Sequence, residues 1–347
     1  MEQSKRKTFR RMEKIHIVVG MLNEDLVKGK PPKKTEIFMT DVGKDYFGNK
    51  KRISVVGKDN IDYGNQDIKF MVRGLARGKI IHEFNRTNSN YYYIDTGYLM
   101  APAKKKLAAG PGKRNSIHKA YHRMVYNGLQ NTTPLSPHEI KERIRTYEET
   151  ESDRVRGISY DNLVRRFQLH TGQNMKHYLI DQARRGNRVL IVPPSDKVCG
   201  HYNIDVDSWI QKTKVDILEN WKGKTPQIDV RYKAPRRDRV QYSFMDQLHE
   251  GHYWCTVTYN SIAAVESVMC GVPCICSLGD NAGTSLCERS YENINNPFTP
   301  TNKQVKELLF YLSTCQFTPA ELASDFSYDM VDIIPVSYTH LRAHETI

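Results

Sequence analysis

The 347-residue sequence lacks the features of a membrane protein and those of a small secreted protein stabilised by disulfides. No apolar run comes near the ~18 residues that a membrane-spanning helix needs, and the basic N-terminus has no apolar core of a secretory signal. The seven cysteines are an odd number and lie mostly inside apolar runs, which favours a reducing compartment. We therefore expect a cytoplasmic protein that does not enter a membrane.

The spacings of a zinc site and of a phosphate-binding P-loop are also missing. Cys270, Cys274 and Cys276 lie close together in the chain, but no Cys-x-x-Cys pair or nearby histidine completes a set of ligands. A single D-x-D, Asp205-Val206-Asp207, could hold Mn²⁺ or Mg²⁺, yet it follows no clear strand. Asp207 is better placed as the N-cap of a helix, so we expect no metal.

The net charge of +13 is unevenly distributed along the chain. Residues 1–130 carry 27 basic and 12 acidic side chains, a net charge of +15, whereas residues 131–175 are neutral and residues 176–347 carry −2. Such asymmetry indicates that the first third binds a polyanion, most often nucleic acid. The alternative is a solubilising surface with a basic tail.

The first half of the chain has the pattern of an α/β domain. Short apolar runs predict strands at Ile15–Val19, Ile53–Val56 and Ile68–Val72, and a helix lies between Arg73 and Arg86. Tyr91–Leu99 reads as a further strand that runs into a turn. The Gly-, Pro- and Lys-rich segment 101–119 is predicted to be a loop that grips phosphates.

Asp95 stands near the C-terminal end of the tyrosine-rich strand, where ligands of open α/β sheets collect. This position makes Asp95 a candidate site residue, and the alternative is that it only caps the next turn. The adjacent Tyr91–Tyr93 could stack on a nucleobase.

In the second half, strands are predicted at Val189–Val192 and Ile228–Tyr232, with a helix between them. A last helix covers Asn302–Thr314, and Thr301 and Gln304 form a possible capping box at its start. Alternation of this kind predicts a Rossmann-like domain.

A strand–turn–helix–strand unit near the C-terminus is the most informative segment. The apolar run Cys255–Thr258 predicts a buried strand, Asn260 or Ser261 can cap the following helix, and Gly271 ends it before the run Cys274–Leu278. The start of this helix suits a phosphate. Glu266 flanks the apolar side of the helix, where ribose hydroxyls could donate to it; the alternative is an ordinary surface glutamate.

This segment, T-Y-N-S-x-A-x-V-E-S-V-x-x-G-V-P at residues 258–273, resembles the nucleotide-sugar segment of GT-B glycosyltransferases, notably the capsule-polysaccharide and phage-encoded branches. The resemblance covers 80 to 100 residues of the C-terminal half. It implies an α/β fold of the GT-B type, with two Rossmann-like lobes and a cleft between them. It also implies a metal-independent hexosyl transfer from a UDP-sugar, with UDP-glucose as the first candidate.

On this resemblance, the donor-binding residues would come from the unit and from the basic turn after the preceding strand. They are Arg231, Lys233, Arg236, Thr258, Asn260, Ser261 and Glu266. The general base should come from the N-terminal domain. Asp95 is the candidate, with His82 and His122 behind it.

The basic first third and the likeness to phage proteins, including DNA hydroxymethylpyrimidine glycosyltransferases, favour double-stranded DNA as the acceptor, in an infected bacterial cell. The target would be 5-hydroxymethylcytosine in preference to 5-hydroxymethyluracil. The residues expected to contact DNA are Arg73, Arg77, Tyr92, Lys104, Lys105, Lys113, Arg114 and Arg123. Two alternatives stay open: a surface-polysaccharide glycosyltransferase, and a nucleic-acid-binding protein of this fold that has lost catalysis.

These inferences divide the chain into four parts. Residues 1–14 are expected to be a disordered basic tail, 15–175 the acceptor-binding domain and 176–335 the nucleotide-sugar domain. Residues 336–347 resemble translated adaptor sequence, and we expect them to be non-native.

Overall fold

A computed structural model describes residues 14–18, 52–75, 78–99, 121–150, 158–171, 186–232, 244–322 and 325–334. The segment 101–119, the tail predicted at 336–347 and all but the last residue of the tail predicted at 1–14 lie outside these ranges. Within the ranges, no helix has both the length and the apolar character needed to cross a bilayer.

The first of two sheets has six strands in the order β10-β5-β4-β3-β1-β2. They are β1 (Lys14–Val18), β2 (Arg52–Val56), β3 (Ile68–Arg73), β4 (Asn90–Thr96), β5 (His122–Tyr126) and β10 (Gln316–Phe317). Strands β1 to β4 are parallel, and β5 is antiparallel to both β4 and β10. The strands predicted from Ile15, Ile53, Ile68 and Tyr91 are all confirmed.

The second sheet has four parallel strands in the order β7-β6-β8-β9. They are β6 (Arg188–Val192), β7 (Gln227–Val230), β8 (Tyr253–Thr258) and β9 (Cys274–Ile275). The last strand is shorter than the predicted run to Leu278, because beyond Ile275 the Cys276 N–H donates to the Glu288 carbonyl instead of continuing the pairing with β8. The predicted α/β class with two Rossmann-like lobes is confirmed, and we call the parts built on the two sheets the first and second lobes.

Ten α-helices lie within the described ranges. They are α1 (Gly78–Arg86), α2 (Pro137–Thr150), α3 (Tyr160–Thr171), α4 (Asp196–Tyr202), α5 (Val206–Asn220), α6 (Phe244–Gly251), α7 (Ala263–Met269), α8 (Asn302–Thr314), α9 (Pro319–Leu322) and α10 (Asp325–Ile333). The capping box at α8 is confirmed, with reciprocal hydrogen bonds between Thr301 and Gln304.

The N-cap of α5 differs from the prediction. Asp205, not Asp207, is the N-cap, and its carboxylate accepts a hydrogen bond of 2.8 Å from the Ser208 N–H. Asp207 lies in the first turn, where a negative charge is favourable next to the helix N-terminus. The D-x-D therefore starts a helix, and among the described residues no group of three or more His, Cys, Asp and Glu could hold a metal.

Both faces of the first sheet are covered, as is usual for parallel strands. Phe70 and Tyr91 belong to one apolar cluster, whereas Met71 and Tyr92, one position further along each strand, belong to the other. The cluster that contains Met71 and Tyr92 also includes Val265 of α7, in the second lobe. The two lobes therefore share one apolar core.

The chain returns to the first sheet near its C-terminal end. Gln316 and Phe317 pair with Arg123 and His122 of β5, although the sequence analysis assigns residues 176–335 to the second domain. The Gln316 side chain is fully buried. It accepts a hydrogen bond from the Leu99 N–H and donates one to the Leu99 carbonyl. Two residues are too short a run for periodicity to reveal, and burial of Phe317 fixes the pairing.

Candidate nucleotide-sugar site

The candidate site lies at the C-terminal edge of the second sheet, between β6 and β8. The chain leaves β6 for β7 on one side and later reaches β8 on the other side of β6. Ligands of open α/β sheets bind in the crevice where the strand order reverses in this way. The segments that leave this edge are 193–195 after β6 and 259–262 after β8.

Two hydroxyl groups fasten β8 to its neighbours. Thr258 Oγ1 donates to the Val192 carbonyl at 3.0 Å, and Thr256 Oγ1 lies 2.6 Å from Ser267 Oγ of α7. Thr258 is buried and its hydroxyl is used within the sheet. The structure thus gives Thr258, which was predicted to bind the donor, a role in holding the two central strands together.

The turn after β8 carries Asn260 and Ser261. Ser261 Oγ accepts a hydrogen bond of 3.2 Å from the Ala263 N–H, and Ile262 occupies the N-cap position. The prediction that Asn260 or Ser261 is the N-cap is therefore wrong by one or two positions, because the helix begins one residue later and Ile262 has no side-chain oxygen to accept from the first turn. Asn260 is buried within this turn. The predicted end of α7 is confirmed, since Gly271 follows it with a φ of +72°.

Two tyrosines lie at this turn, and no pattern in the sequence indicates a role for either of them. Tyr202, the last residue of α4, meets the ring of Tyr259 edge-on at 5.6 Å. Tyr259 packs over Gly279, where a Cβ would come within 2.9 Å of the ring. Burial raises the pKa of Tyr202 to about 12, so its hydroxyl stays protonated at neutral pH. The Tyr202 side chain is still 40% exposed and offers an aromatic surface at the sheet edge.

Arg289 supplies a cation next to these rings. Its guanidinium donates to the Gly279 carbonyl at 3.0 Å and lies 3.3 Å from Asp280 Oδ1. Asp280 raises the pKa of Tyr202 and of Tyr259, although burial is the larger cause in both cases. Arg289 lies beyond the segment 258–273 that carries the resemblance, and no spacing in the sequence marks it, because its partners come from the loop after β9.

The remaining predicted donor residues lie at the same sheet edge or outside the described ranges. Glu266 is half-buried in the first turn of α7. Arg231 directly follows β7, donates to the Gln247 side chain, and lies 5.7 Å from the centre of the Phe244 ring. These contacts turn Arg231 toward α6. Lys233 and Arg236 are outside the described residues.

The first lobe touches this region through a pair of histidines. His82 Nε2 of α1 lies 2.9 Å from the backbone carbonyl oxygen of His201 in α4. The two imidazoles stack, with centres 4.3 Å apart and planes 16° from parallel. Burial, assisted by His82, lowers the pKa of His201 to about 4, so His201 is neutral at physiological pH.

The predicted base, Asp95, lies at the C-terminal edge of the first sheet in a network of polar groups. Its Oδ2 accepts a hydrogen bond of 2.8 Å from the Tyr93 hydroxyl and lies 3.5 Å from the Arg123 guanidinium, while Oδ1 accepts from the Thr96 N–H. Burial alone would raise the pKa of Asp95, but Arg123, the hydrogen bonds from Thr96 and Tyr93, and the charge of Arg73 lower it. Asp95 is thus a carboxylate at neutral pH, with 36% of its side chain exposed.

Antiparallel pairing explains this network, because Asp95 of β4 stands opposite Arg123 of β5. The Arg123 guanidinium also lies 5.7 and 5.3 Å from the ring centres of Tyr93 and Tyr98, and only 11% of its side chain is exposed. Burial lowers the pKa of Arg73, and Asp95 opposes this effect. Arg73 and Arg123, both predicted to contact DNA, therefore lie next to the predicted base.

The tyrosines of β4 are not available for stacking on a base. Tyr91, Tyr92 and Tyr93 are each at most 1% exposed. Tyr92 contacts Tyr328 of α10 edge-on, and its hydroxyl accepts a hydrogen bond of 3.1 Å from Lys69 Nζ. The prediction that Tyr92 binds the acceptor is therefore wrong, because helices cover both faces of the sheet. Periodicity does not reveal this burial on both faces.

His122 is also buried, at 2% exposed, whereas His82 lies on the surface of α1. The other residues predicted to bind the acceptor are outside the described ranges: Arg77, Lys104, Lys105, Lys113 and Arg114.

Comparisons with known proteins give no family assignment. No protein-family model matches the chain, and no curated protein matches it. Among solved structures, KpsC of Thermosulfurimonas dismutans, a β-Kdo 2,4 transferase, is similar at 13% identity and a TM-score of 0.37, over 87% of this chain and 90% of KpsC. UDP-GlcNAc 2-epimerase from Methanocaldococcus jannaschii is similar at 12% identity and a TM-score of 0.19, over 92% of this chain and 99% of the epimerase. With both TM-scores below 0.5, function has to be inferred from the chain's own residues.

Proposed function

We propose that this protein is a glycosyltransferase that uses a nucleotide sugar as its donor. One observation carries the proposal: the segment that resembles the donor site of GT-B glycosyltransferases follows β8 at the point where strand order reverses in a parallel sheet. That edge is the general ligand-binding position of such sheets. Motif and topology are independent lines of support, since the strand order plays no part in the motif.

The proposed donor contacts follow from the chemistry of the residues at this edge. Asn260 and Ser261 would donate hydrogen bonds to the diphosphate, and Glu266 would accept hydrogen bonds from ribose hydroxyls. We add Arg289 to the predicted set, because an arginine beside this turn can neutralise the phosphate charge that develops as the diphosphate leaves. Arg231, Lys233 and Arg236 would act on the same charge from the β7 side. UDP is the proposed nucleotide, and UDP-glucose the first donor to test.

The reaction would be a displacement at the anomeric carbon. The acceptor hydroxyl oxygen forms the new glycosidic bond, the bond from the anomeric carbon to the diphosphate oxygen breaks, and the nucleoside diphosphate leaves with that electron pair. A base takes the hydroxyl proton. Asp95 is the proposed base, since it is ionised and its side chain is partly exposed, although Arg123 weakens its basicity. No metal is required in this scheme, because arginine and amide groups would stabilise the diphosphate.

For the acceptor we propose double-stranded DNA that carries a hydroxymethylated pyrimidine, with 5-hydroxymethylcytosine preferred. The support is the net charge of +15 on residues 1–130, together with the phage-type resemblance. Residues 15–175 would hold the DNA, and residues 176–335 the donor. Arg73 and Arg123 would then help to place the phosphate backbone near Asp95.

The test is a transfer assay with radiolabelled UDP-sugars and three acceptors: hydroxymethylcytosine DNA, the same duplex with unmodified cytosine, and a lipid-linked glycan. Label in the hydroxymethylated duplex alone is the expected result. Label in the glycan alone would refute DNA as the acceptor and favour the surface-polysaccharide alternative.

A thermal-shift titration with UDP tests the donor site independently of any acceptor. A ligand that binds only the folded state stabilises it by about 2.7 kcal/mol at a hundredfold excess over Kd. Tm therefore rises with ligand concentration. Absence of a shift with UDP and with UDP-sugars would refute the donor site and favour the alternative of a nucleic-acid-binding protein without catalysis. The matching site variant is Glu266→Gln, which should reduce the Tm shift caused by UDP.

A further inference from the structure

A continuous row of aromatic contacts leads from the first lobe to the proposed donor turn. His82 of α1 stacks on His201 of α4, His201 meets Tyr202 edge-on at 4.6 Å, and Tyr202 meets Tyr259 at 5.6 Å. Tyr259 is the first residue of the turn after β8, the turn that also carries Asn260 and Ser261. Each neighbouring pair is in direct contact, so displacement of one ring changes the packing of the next.

The lobe contact at His82 is specific in its chemistry. A carbonyl oxygen can only accept, so the proton of the 2.9 Å hydrogen bond stands on His82 Nε2, which donates to the His201 carbonyl. His201 and Tyr202 are the last two residues of α4, and Asn203 follows in the left-handed conformation with a φ of +52°. His82 therefore holds the end of a short helix where its backbone turns away.

The His201 side chain is held by ring contacts. It is 9% exposed, and its Nδ1 is buried with no hydrogen-bond partner among the described residues. The ring is therefore positioned by stacking on His82 and by contact with Tyr202. Loss of the His82 ring would open a space on one face of His201 and remove one of the two ring contacts that position that imidazole.

We propose that His82 is a positioning residue for the donor site: by stacking on His201 and binding its carbonyl, it fixes Tyr202 and, through Tyr202, the ring of Tyr259 in the donor turn. The donor turn would then be complete only while the two lobes are in contact at α1 and α4. This inference rests on the proposed function only for the identity of the ligand, because the mechanical coupling can be measured in the free protein.

The first experiment is hydrogen–deuterium exchange on the free protein, comparing the wild type with His82→Ala. We expect faster exchange in peptides that cover residues 196–203 and also in those that cover 258–263. The matched control is Arg86→Ala on the same helix, where Arg86 is exposed and pairs with Glu83; it should leave both peptides unchanged. Unchanged exchange at 258–263 in His82→Ala would overturn the proposal.

The second experiment titrates the same proteins with UDP by calorimetry. We expect UDP affinity to fall about fivefold in His82→Ala, a size usual for coupling between two sites, and to stay at the wild-type value in Arg86→Ala. His82→Phe, which keeps the stacked ring but loses the donor, should recover part of the affinity.

Tyr202→Ala removes the ring that lies between His201 and Tyr259 and gives a second route to the same coupling. If His82 acts through Tyr202, the double variant should bind UDP more tightly than the product of the two single losses implies. Strictly multiplicative losses would overturn the proposed route. The two proposals fail separately: a wild type that does not bind UDP counts against the donor site, while the exchange data still decide the coupling.

Discussion

Gly279 and Gly223 together test the donor site, because alanine at both positions perturbs the backbone and only alanine at Gly279 also perturbs a neighbouring ring. The φ of Gly279, +83°, is in a region that residues with a Cβ rarely adopt, and an added Cβ would lie 2.9 Å from Cε1 of Tyr259. Gly223 provides the control: its φ is +90°, and an added Cβ would meet nothing within 4 Å. Substitution by alanine thus strains the backbone at both positions and disturbs Tyr259 at only one.

The expected magnitudes follow from these two differences. A left-handed conformation costs a residue with a Cβ about 1–2 kcal/mol, partly offset by about 0.4–1 kcal/mol because alanine reduces the entropy of the unfolded chain. Gly223→Ala should therefore lower the free energy of unfolding by about 1 kcal/mol. In Gly279→Ala the Tyr259 ring must also move to reach a normal carbon–carbon separation of about 3.5 Å or more. Overpacking of this kind adds about 1–3 kcal/mol.

Movement of Tyr259 should also disturb the ring of Tyr202 and the position of Asn260. We therefore expect Gly279→Ala to weaken UDP binding about tenfold, equivalent to about 1.4 kcal/mol, while Gly223→Ala binds UDP like the wild type. Urea denaturation measures the loss of stability, and calorimetric titration measures the loss of UDP affinity. Equal losses of stability in the two variants would refute the packing of Tyr259 on Gly279. A clear extra loss of stability in Gly279→Ala with unchanged UDP affinity would remove Tyr259 from the nucleotide site.

Two further predictions concern the first lobe. Asp95→Asn should abolish transfer and also lower the free energy of unfolding by about 0.5–1 kcal/mol, a modest effect because the carboxylate is partly exposed. The folded-state pKa of Asp95 is lowered, so its carboxylate stabilises the folded protein at neutral pH. The difference in stability between wild type and Asp95→Asn should therefore be complete above the ordinary aspartate pKa of about 4 and vanish as pH falls through the folded-state pKa. A difference that grows toward acid pH in urea titrations would contradict this. Tyr92→Phe removes the hydrogen bond from Lys69 and should lower stability by about 1 kcal/mol, without changing DNA binding in a gel-shift assay; a large loss of DNA affinity with normal stability would restore Tyr92 to the acceptor site.

Local patterns were sufficient for the elements whose signals lie within one segment. Asn302–Thr314 begins and ends where the sequence places it, because Thr301 and Gln304 form their capping box within four residues. The strand–turn–helix unit around Asn260 is likewise determined by a short apolar run, small polar residues and Gly271. The short helices α4 and α6 were missed, because 7 and 8 residues give too few turns for an apolar stripe to stand out.

Long-range contacts, in contrast, decided which candidates belong to a site. The sequence predicts that Tyr91–Tyr93 can stack on a nucleobase, yet coverage of both sheet faces buries all three. Asp95 was selected for its place at the end of a strand, but the pairing of β4 with β5 gives it Arg123 as a neighbour. Such a neighbour changes the chemistry of the carboxylate, and it lies 28 positions away in the sequence.

The contact between His82 and His201 is the part of the region that the sequence reveals least. His82 and His201 are 119 positions apart, and neither stands in a motif, so only the packing of α1 on α4 brings them together. The donor motif around Asn260 lies on the second lobe, whereas the proposed base and the basic region lie on the first. A transferase assembled in this way needs contacts between the lobes to align donor and acceptor, since a misplacement of about 1 Å can cost a hundredfold in rate. The histidine stack is a direct contact between the lobes that ends at the donor turn, which is why substitutions there should change donor affinity without touching the motif itself.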